Sequence, residues 1–537
     1  MRRNYAYVLL GVFMLFLASC KSKKTLPIPQ DAMVVVEVNT AGLKSKLTWE
    51  EIRKSAWFAD AQKESTDSTA RKLLNDPATS GVDTDQDMAF YMLRKGQNNL
   101  GVVTGFVKDA EAFGRFSGKD KKVTKDGDLS LIAQEEGLVA WNGSQFLYLM
   151  KMPSTPSPLS ENSEEAKPVT PDSLRLWART LLTLEEKNQL QSDKRFAALR
   201  SEEGDMRLWM NSGLMYSDLA GGALSMMKAS SLVEGNVSAS SLSFVDGKIS
   251  MKMKQYYGEQ MQKMLDKHKP QPVSDDLLGR IPSNDIAAAM VMNYPADGLY
   301  EIFKMAGVEG IANSMLGNYN LSLQELCAAF KGQMLISLSD FKVAKKEIDM
   351  PDGSKFSTTA PDMKMLFAAS VNNKATFEKL IGLAEKSMPA QNPASVSLQV
   401  NNEWFAVGNA KEHVGQFLAG GKRSVPFADK VKGHPFGLYI DLQKLMTGAE
   451  GFQAGGSVND MLQTSKKMWQ NVVMTGGEYS NGMTSFTAEI NMVDGKTNSL
   501  KQLNKYLETM YKARPKPEMQ STLSDSTALI TEEAPAP

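Results

Sequence analysis

Two stretches far apart in the chain share one pattern of apolar and polar positions. Residues 28 to 39 read IPQDAMVVVEVN, an Ile-Pro lead-in before a β-branched apolar run, and residues 281 to 293 read IPSNDIAAAMVMN, with one residue inserted and the same ending at Asn. Each predicts a strand. Further matches follow in the same order. Val107, Phe113 and Phe116 in VKDAEAFGRF have the spacing of Val371, Phe377 and Leu380 in VNNKATFEKL, a strand end followed by a helix with its apolar face at i, i+3. EEGLVAW at 135 to 141 parallels NEWFAV at 402 to 407, an acidic turn entering a short apolar strand. SDKRFAAL from Ser192 parallels SVPFADKV from Ser424, and an aromatic strand follows each, MRLWMN or FGLYID. Hairpins close both series: Asp246 and Gly247 in SFVDGKISMKM, Asn481 and Gly482 in EYSNGMTSFTAEI, two pairs that supply the positive φ of a type I′ turn.

These ordered matches predict a duplication. The expected fold is α+β: a first half over 28–268 and a similar second half over 281–508, each a mainly antiparallel or mixed sheet with helices packed on it. A Ser-led element, SAWFAD at Ser55, SDKRFA at Ser192 and SVPFAD at Ser424, reads as an N-cap before a short helix whose Phe docks on the next strand. Three segments fall outside the pattern. Residues 153–172, rich in Pro, Ser and Glu, predict a disordered insertion in the first half, 269–280 a linker, and 509–537 a disordered tail.

Ahead of the first strand, Arg2 and Arg3 precede an apolar run to Leu17, then Ala18, Ser19 and Cys20. That is the order of a secretory signal, and its apolar part is too short to span a bilayer as a stable helix. Leu17, Ala18, Ser19 and Cys20 resemble the lipobox of bacterial lipoproteins. The resemblance implies a signal peptide over 1–19, lipidation at Cys20, and a tether over 20–27 that holds the protein to a membrane. Residues 21 to 24 read KSKK, where Bacteroidota lipoproteins exported to the cell surface carry an acidic run. The lysines point to the periplasmic face of the outer membrane, with surface exposure as the alternative. The chain beyond Cys20 also resembles a family of Bacteroidota envelope lipoproteins of uncharacterised function, in which an Ile-Pro-Asp-type strand follows the lipidated Cys and strand and helix units recur. The resemblance implies fold and location and carries over no catalytic residues.

Composition changes this picture little. With 61 basic and 61 acidic residues the chain has no basic field for nucleic acid, and 537 residues that are 42% apolar can fill more than one core. If lipid consumes Cys20, Cys327 is the one thiol left and no intrachain disulfide can form. Leu323, Leu326, Cys327 and Phe330 recur at helical spacing, which marks an inert core cysteine.

The candidate chemistry is thin. His268 lies in a Lys- and Pro-rich segment, His413 follows Lys411 and Glu412, and His434 precedes Pro435 at a strand entrance; none forms the paired motif of a zinc hydrolase. Asp83, Asp85 and Asp87 open like a calcium loop, but Met88 stands where the turn glycine belongs and Arg94 where the bidentate Glu belongs, so they read as an acidic turn. GQFLAGGKRS, from Gly415 to Ser424, comes near a phosphate loop, but Pro426 blocks the helix that must follow. Methionine is abundant at 33 residues; Met251 and Met253 share a strand face, as do Met290 and Met292. Thioether pairs suit Cu(I), flexible core filling or a groove for apolar ligands. No catalytic residue, cofactor or metal ligand is expected. The leading expectation is a non-enzymatic binding or scaffolding lipoprotein whose partner is an envelope protein, a glycan or a lipid. The alternatives are an envelope hydrolase on glycan or peptide, which needs two carboxylates converging in a deep pocket with raised pKa values, and a carrier of an apolar ligand.

Overall fold

Short runs with alternating burial, such as VVVEV at 34 to 38, pair side by side into one sheet. The computed structural model describes residues 24–64, 77–118, 121–135, 137–152, 168–216, 230–349, 354–387, 396–452 and 456–514. In chain order the strands are β1 (Val34–Val38), β2 (Met88–Lys95), β3 (Asn98–Phe106), β4 (Thr124–Asp126), β5 (Leu129–Gln134), β6 (Gly137–Trp141), β7 (Gln145–Met152), β8 (Met206–Asn211), β9 (Val237–Val245) and β10 (Lys248–Tyr256). They continue with β11 (Ile286–Asn293), β12 (Phe330–Asp349), β13 (Lys355–Val371), β14 (Ser397–Val400), β15 (Trp404–Gly408), β16 (Phe436–Asp441), β17 (Trp469–Ser480) and β18 (Met483–Met492).

All strand pairs are antiparallel, and the fold class is α+β. The pairings are continuous. Outward from the β10–β18 pair run β9, β8, β1, β2, β3, β7 and β6 on one side, and β17, β16, β11, β12, β13, β15 and β14 on the other. Beyond β6 the first arm adds β5 and β4. The expected separate sheets of two halves are therefore joined edge to edge, and the two arms lay their strands down in one connectivity. At the junction Lys252 lies opposite Thr487, each the fifth residue after its hairpin glycine.

One face of the sheet, the inner face, carries both main cores. Val35, Tyr91 and Trp209 pack under the helices Pro171–Leu182 and Lys194–Ser201; Ala289, Trp404 and Tyr439 pack under the helix Lys411–Ala419. Phe196 meets Trp209 edge-on with ring centroids 5.5 Å apart, and Phe427 stacks on Tyr439 at 5.1 Å. In these two copies the Phe of the Ser-led element docks on the next strand as expected, whereas Phe58 of SAWFAD meets Trp49 and Trp57 edge-on instead. Ser192 and Ser424 do not cap. Asp193 accepts the amide of Arg195 before the helix Lys194–Ser201, and Phe427 holds the cap position of Ala428–Val431 without a side-chain bond.

Farther out, helices also cover the opposite, outer face. Ala110–Ser117 sets Phe113 against Phe146 at 5.0 Å, and Lys374–Ser387 stacks Phe377 on Phe405 at 4.8 Å. The register corrects one expected match. β15 pairs with β13 as β7 pairs with β3, so the partner of NEWFAV is the turn and strand NGSQFLY rather than EEGLVAW. The local bonds agree: Asn142 Oδ1 accepts from the amides of Ser144 and Gln145, and Asn401 Oδ1 from those of Glu403 and Trp404. Val107 N donates to Ser144 O at 2.9 Å, and Val371 N to Glu403 O at 2.8 Å.

Three segment boundaries also differ from expectation. Residues 153–167 of the insertion lie outside the described residues, but Pro171 and Asp172 begin a helix capped by Thr170, where a proline costs no hydrogen bond. The stretch 269–280 is not a bare connector: the helix Asp275–Gly279 buries Leu277 and Leu278, and Val273 joins them in the second core. The C-terminal helix runs Ser499–Ala513, past the expected end of the second half at 508.

Candidate functional site

The outer face over the middle of the sheet carries a continuous apolar surface. Starting from Met206 on β8, the register partners are Leu242, Met251, Ala488, Met474, Leu438 and Met290, then Ile336 on β12 and Phe367 on β13. Directly opposed residues share a face, so every position in this row is apolar. The row crosses eight strand spacings, about 38 Å. A parallel row includes Leu208, Met253, Phe486, Phe436 and Met292. Most of these side chains are half-buried, but Leu208 and Ile336 are 41% and 48% exposed, and Met365, two residues before Phe367 on the same face of β13, is 54% exposed. Both expected methionine pairs lie here, and the register also sets Met292 beside Met334. Sequence spacing showed Met290 and Met292 on one strand face; only pairing across strands reveals the continuous surface.

A second place is a recess of about 470 Å³ where the arms cross over. The helix Glu259–Lys267 leaves β10 and packs against Ala296–Met305 of the second arm; reciprocally, Ser499–Ala513 leaves β18 and packs against Ala56–Glu64 of the first. Trp57 Nε1 donates to Asn504 Oδ1 at 3.1 Å, and Arg514 pairs with Asp60 at 3.0 Å. In the other crossing, His268 is buried with its Nε2 3.2 Å from Glu301 Oε1, and Lys267 pairs with the same oxygen. Asp297 and Glu301, one helical turn apart, line the recess with Tyr300 and Lys304. Lys267, helped by His268, holds the Glu301 carboxyl below the usual carboxylate range. Glu301 therefore stays ionised and cannot serve as a general acid near neutral pH.

The third place is enclosed. Beside the Val35–Trp209 pair, Glu37 opposes Arg207, and Arg200 Nε reaches Glu37 Oε1 at 3.2 Å. Arg207 also lies 3.9 Å from Asp87. Glu37 and Asp87 are 1% and 4% exposed, so neither carboxylate is open to a substrate. At the matching register of the second arm, beside Ala289–Tyr439, stand Val291 and Gly437. Val431 fills the space a side chain at Gly437 would need.

The remaining singled-out residues are dispersed. Asp83 caps the amide of Asp85, which pairs with Lys44 at 2.6 Å, and β2 begins at Met88, so the run is the acidic turn expected. Cys327 is buried in the helix Leu323–Ala329, and burial pushes its thiol pKa up. Gly415 lies in Lys411–Ala419, which ends at Gly420 with φ +84°. His413 faces Asp340 at 3.7 Å, and His434 pairs with Glu478. With His268 this sets all three histidines against carboxylates. Among the described residues no three His, Cys, Asp or Glu side chains gather as a metal site. Cys20 lies outside the described residues.

Residues 25–408 match a family described as a domain of unknown function, DUF4836. The chain belongs to that family. The DUF4836 match takes in the first arm and the second as far as the last residue of β15. None of the curated proteins matches the chain. Among solved structures, crystal forms I and IV of TP0453 are each similar to it at 10% identity with a TM-score of 0.24, covering 44% and 45% of this chain and 81% and 85% of theirs. An overlap that loose carries no argument about fold or function. No described helix of this DUF4836 protein is long and apolar enough to cross a membrane.

Proposed function

We propose that the protein is a non-enzymatic binding or scaffolding lipoprotein of the cell envelope, held by lipid at Cys20 to the outer membrane on its periplasmic face, and built from two copies of one α+β unit. The observation that carries the binding role is the apolar outer face: its row from Met206 to Phe367 is unbroken across β8 to β13, and Ile336 in that row, with Leu208 and Met365 beside it, is open to solvent. Exposed apolar patches of this extent mark interaction sites on stable proteins. The matched order of strands in the two arms supports the duplication. The lipobox residues support the tether.

A second reading, a carrier of an apolar ligand, draws on the same surface, because half-buried methionines adapt to varied apolar shapes. A hydrolase draws no specific support from the recess, since Glu301, held ionised by Lys267, is not the raised-pKa acid that such a reading needs. Native mass measurement of the full-length protein in gentle detergent separates the readings. A stoichiometric protein companion supports scaffolding, and an added small-molecule mass supports the carrier. In either case Leu208→Glu with Ile336→Glu should remove the added mass while leaving the circular dichroism intact. Added mass that survives both substitutions would refute the assignment to this face.

A further inference from the structure

We infer that the corner of the first arm at the C-terminal end of β3 rests against the lipid bilayer. The inference depends on the lipid at Cys20 proposed above and adds which surface the lipid draws to the membrane. From Lys24 onward the chain is fixed to the arm. The Lys24 ammonium sits over the ring of Phe106, the last residue of β3, 5.5 Å from its centroid. Leu26 and Ile28 are wholly buried in the first core, Gln191 donates to Leu26 O, and Leu190 N donates to Ile28 O at 2.7 Å. Whatever path they take, the four residue steps from Cys20 to Lys24 span at most about 14 Å. The nine residues of β3 extend about 30 Å, roughly twice that reach.

A body held on so short a leash has one region that cannot leave the bilayer surface, and it is the region around Phe106. Two exposed features flank that point. Lys108 is the second residue after β3, and the turn at Gly143 and Ser144 is fastened to the residue between, Val107, whose N donates to Ser144 O. The far end of the same strand, at the exposed turn of Gly96 and Gln97, lies the full length of β3 away. Lysines 21, 23 and 24 lie on the tether itself, where an anionic headgroup is the natural counter-charge.

The test uses the full-length lipidated protein in vesicles of phosphatidylethanolamine and phosphatidylglycerol that carry a headgroup energy acceptor. A donor dye is placed on Ser144→Cys or Gln97→Cys; Cys327 is buried and stays unlabelled in the folded protein. The expected result is loss of most donor emission at Ser144 and retention of most at Gln97, with the difference abolished by a long Gly-Ser insertion between Lys23 and Lys24. Equal loss at both positions with the native tether would overturn the inference. Cys20→Ala keeps the two readings apart. Release of that variant from membranes together with equal emission loss sinks the corner alone, whereas its retention on membranes sinks the lipid tether and the corner with it.

Discussion

Replacing Glu37 with alanine should cost the protein about 3–5 kcal/mol, the usual penalty for leaving a buried charge without its partner. The substitution takes one carboxylate from between two guanidiniums, Arg200 at 3.2 Å and Arg207 at 3.9 Å, whose side chains are 18% and 8% exposed. Asp87, 3.9 Å from Arg207, and the Glu202 carbonyl, which accepts from Arg207 Nη2 at 3.0 Å, then remain to face them, one negative charge against two positive ones. The second arm supplies the contrast, because Val291 and Gly437 occupy the matching register with no charge at all. Val291→Ala removes two methyl groups from a fully buried site and should cost only about 1–3 kcal/mol as a cavity. Urea denaturation followed by circular dichroism, with the arms fitted as separate transitions if they separate, measures both. A Glu37→Ala loss under about 1 kcal/mol would refute the reasoning, since it would mean that the guanidiniums find solvent or new partners without penalty.

Three further outcomes follow from single sites. Phe427→Ala, at a ring 1% exposed and stacked on Tyr439, should destabilise by about 3–5 kcal/mol in the same denaturation assay. Cys327 should resist a thiol reagent in the native protein and react in full only after denaturation, read from the absorbance of the released chromophore. Glu301 has a folded-state pKa below its unfolded value, so its contribution is present above the unfolded carboxylate pKa and is lost as pH falls through the folded one. The stability gap between the native protein and Glu301→Gln should therefore shrink between about pH 5 and pH 3 in pH-series denaturation, and a gap constant over that interval would contradict the ion pair.

Most of the fold was legible wherever a side chain's role is set by its near neighbours. Phe196 and Phe427 were visible because an aromatic strand follows each, and the two hairpins because Asp-Gly and Asn-Gly favour tight reversal; Asn481 and Gly482 both take positive φ, while in the first turn Gly247 does. What escaped depends on pairing across distance. The EEGLVAW match failed because an acidic residue before an apolar run looks alike ahead of any strand, and only the Asn-centred turns that fasten β7 and β15 tell them apart. The cap at Ser192 failed because Asp193, one residue later, accepts the amide of Arg195 instead, and that at Ser424 because the helix begins only at Ala428. The stretch 269–280 looked like a connector because Pro270, Pro272 and two aspartates precede its leucines, yet Leu277 and Leu278 are what the second core needs. The candidate surface was half legible: methionine pairs showed on single strands, but their union into one row required the order of strands, which no local pattern encodes.

The β10–β18 junction also bears on how the chain reaches its final form. Its central pair, Lys252 with Thr487, falls at the same step beyond each hairpin turn, so the two edge strands meet as halves of a self-complementary seam. An arm that completes its own sheet before the seam closes leaves its outermost strand with unpaired amides and carbonyls, and the same seam could then close between two molecules. Continuous covalent linkage keeps the proper partner nearby at an effective concentration on the order of millimolar, which favours closure within the chain. A higher local concentration of the protein raises the competing intermolecular term. The seam is thus the place where domain-swapped oligomers of this protein would first form.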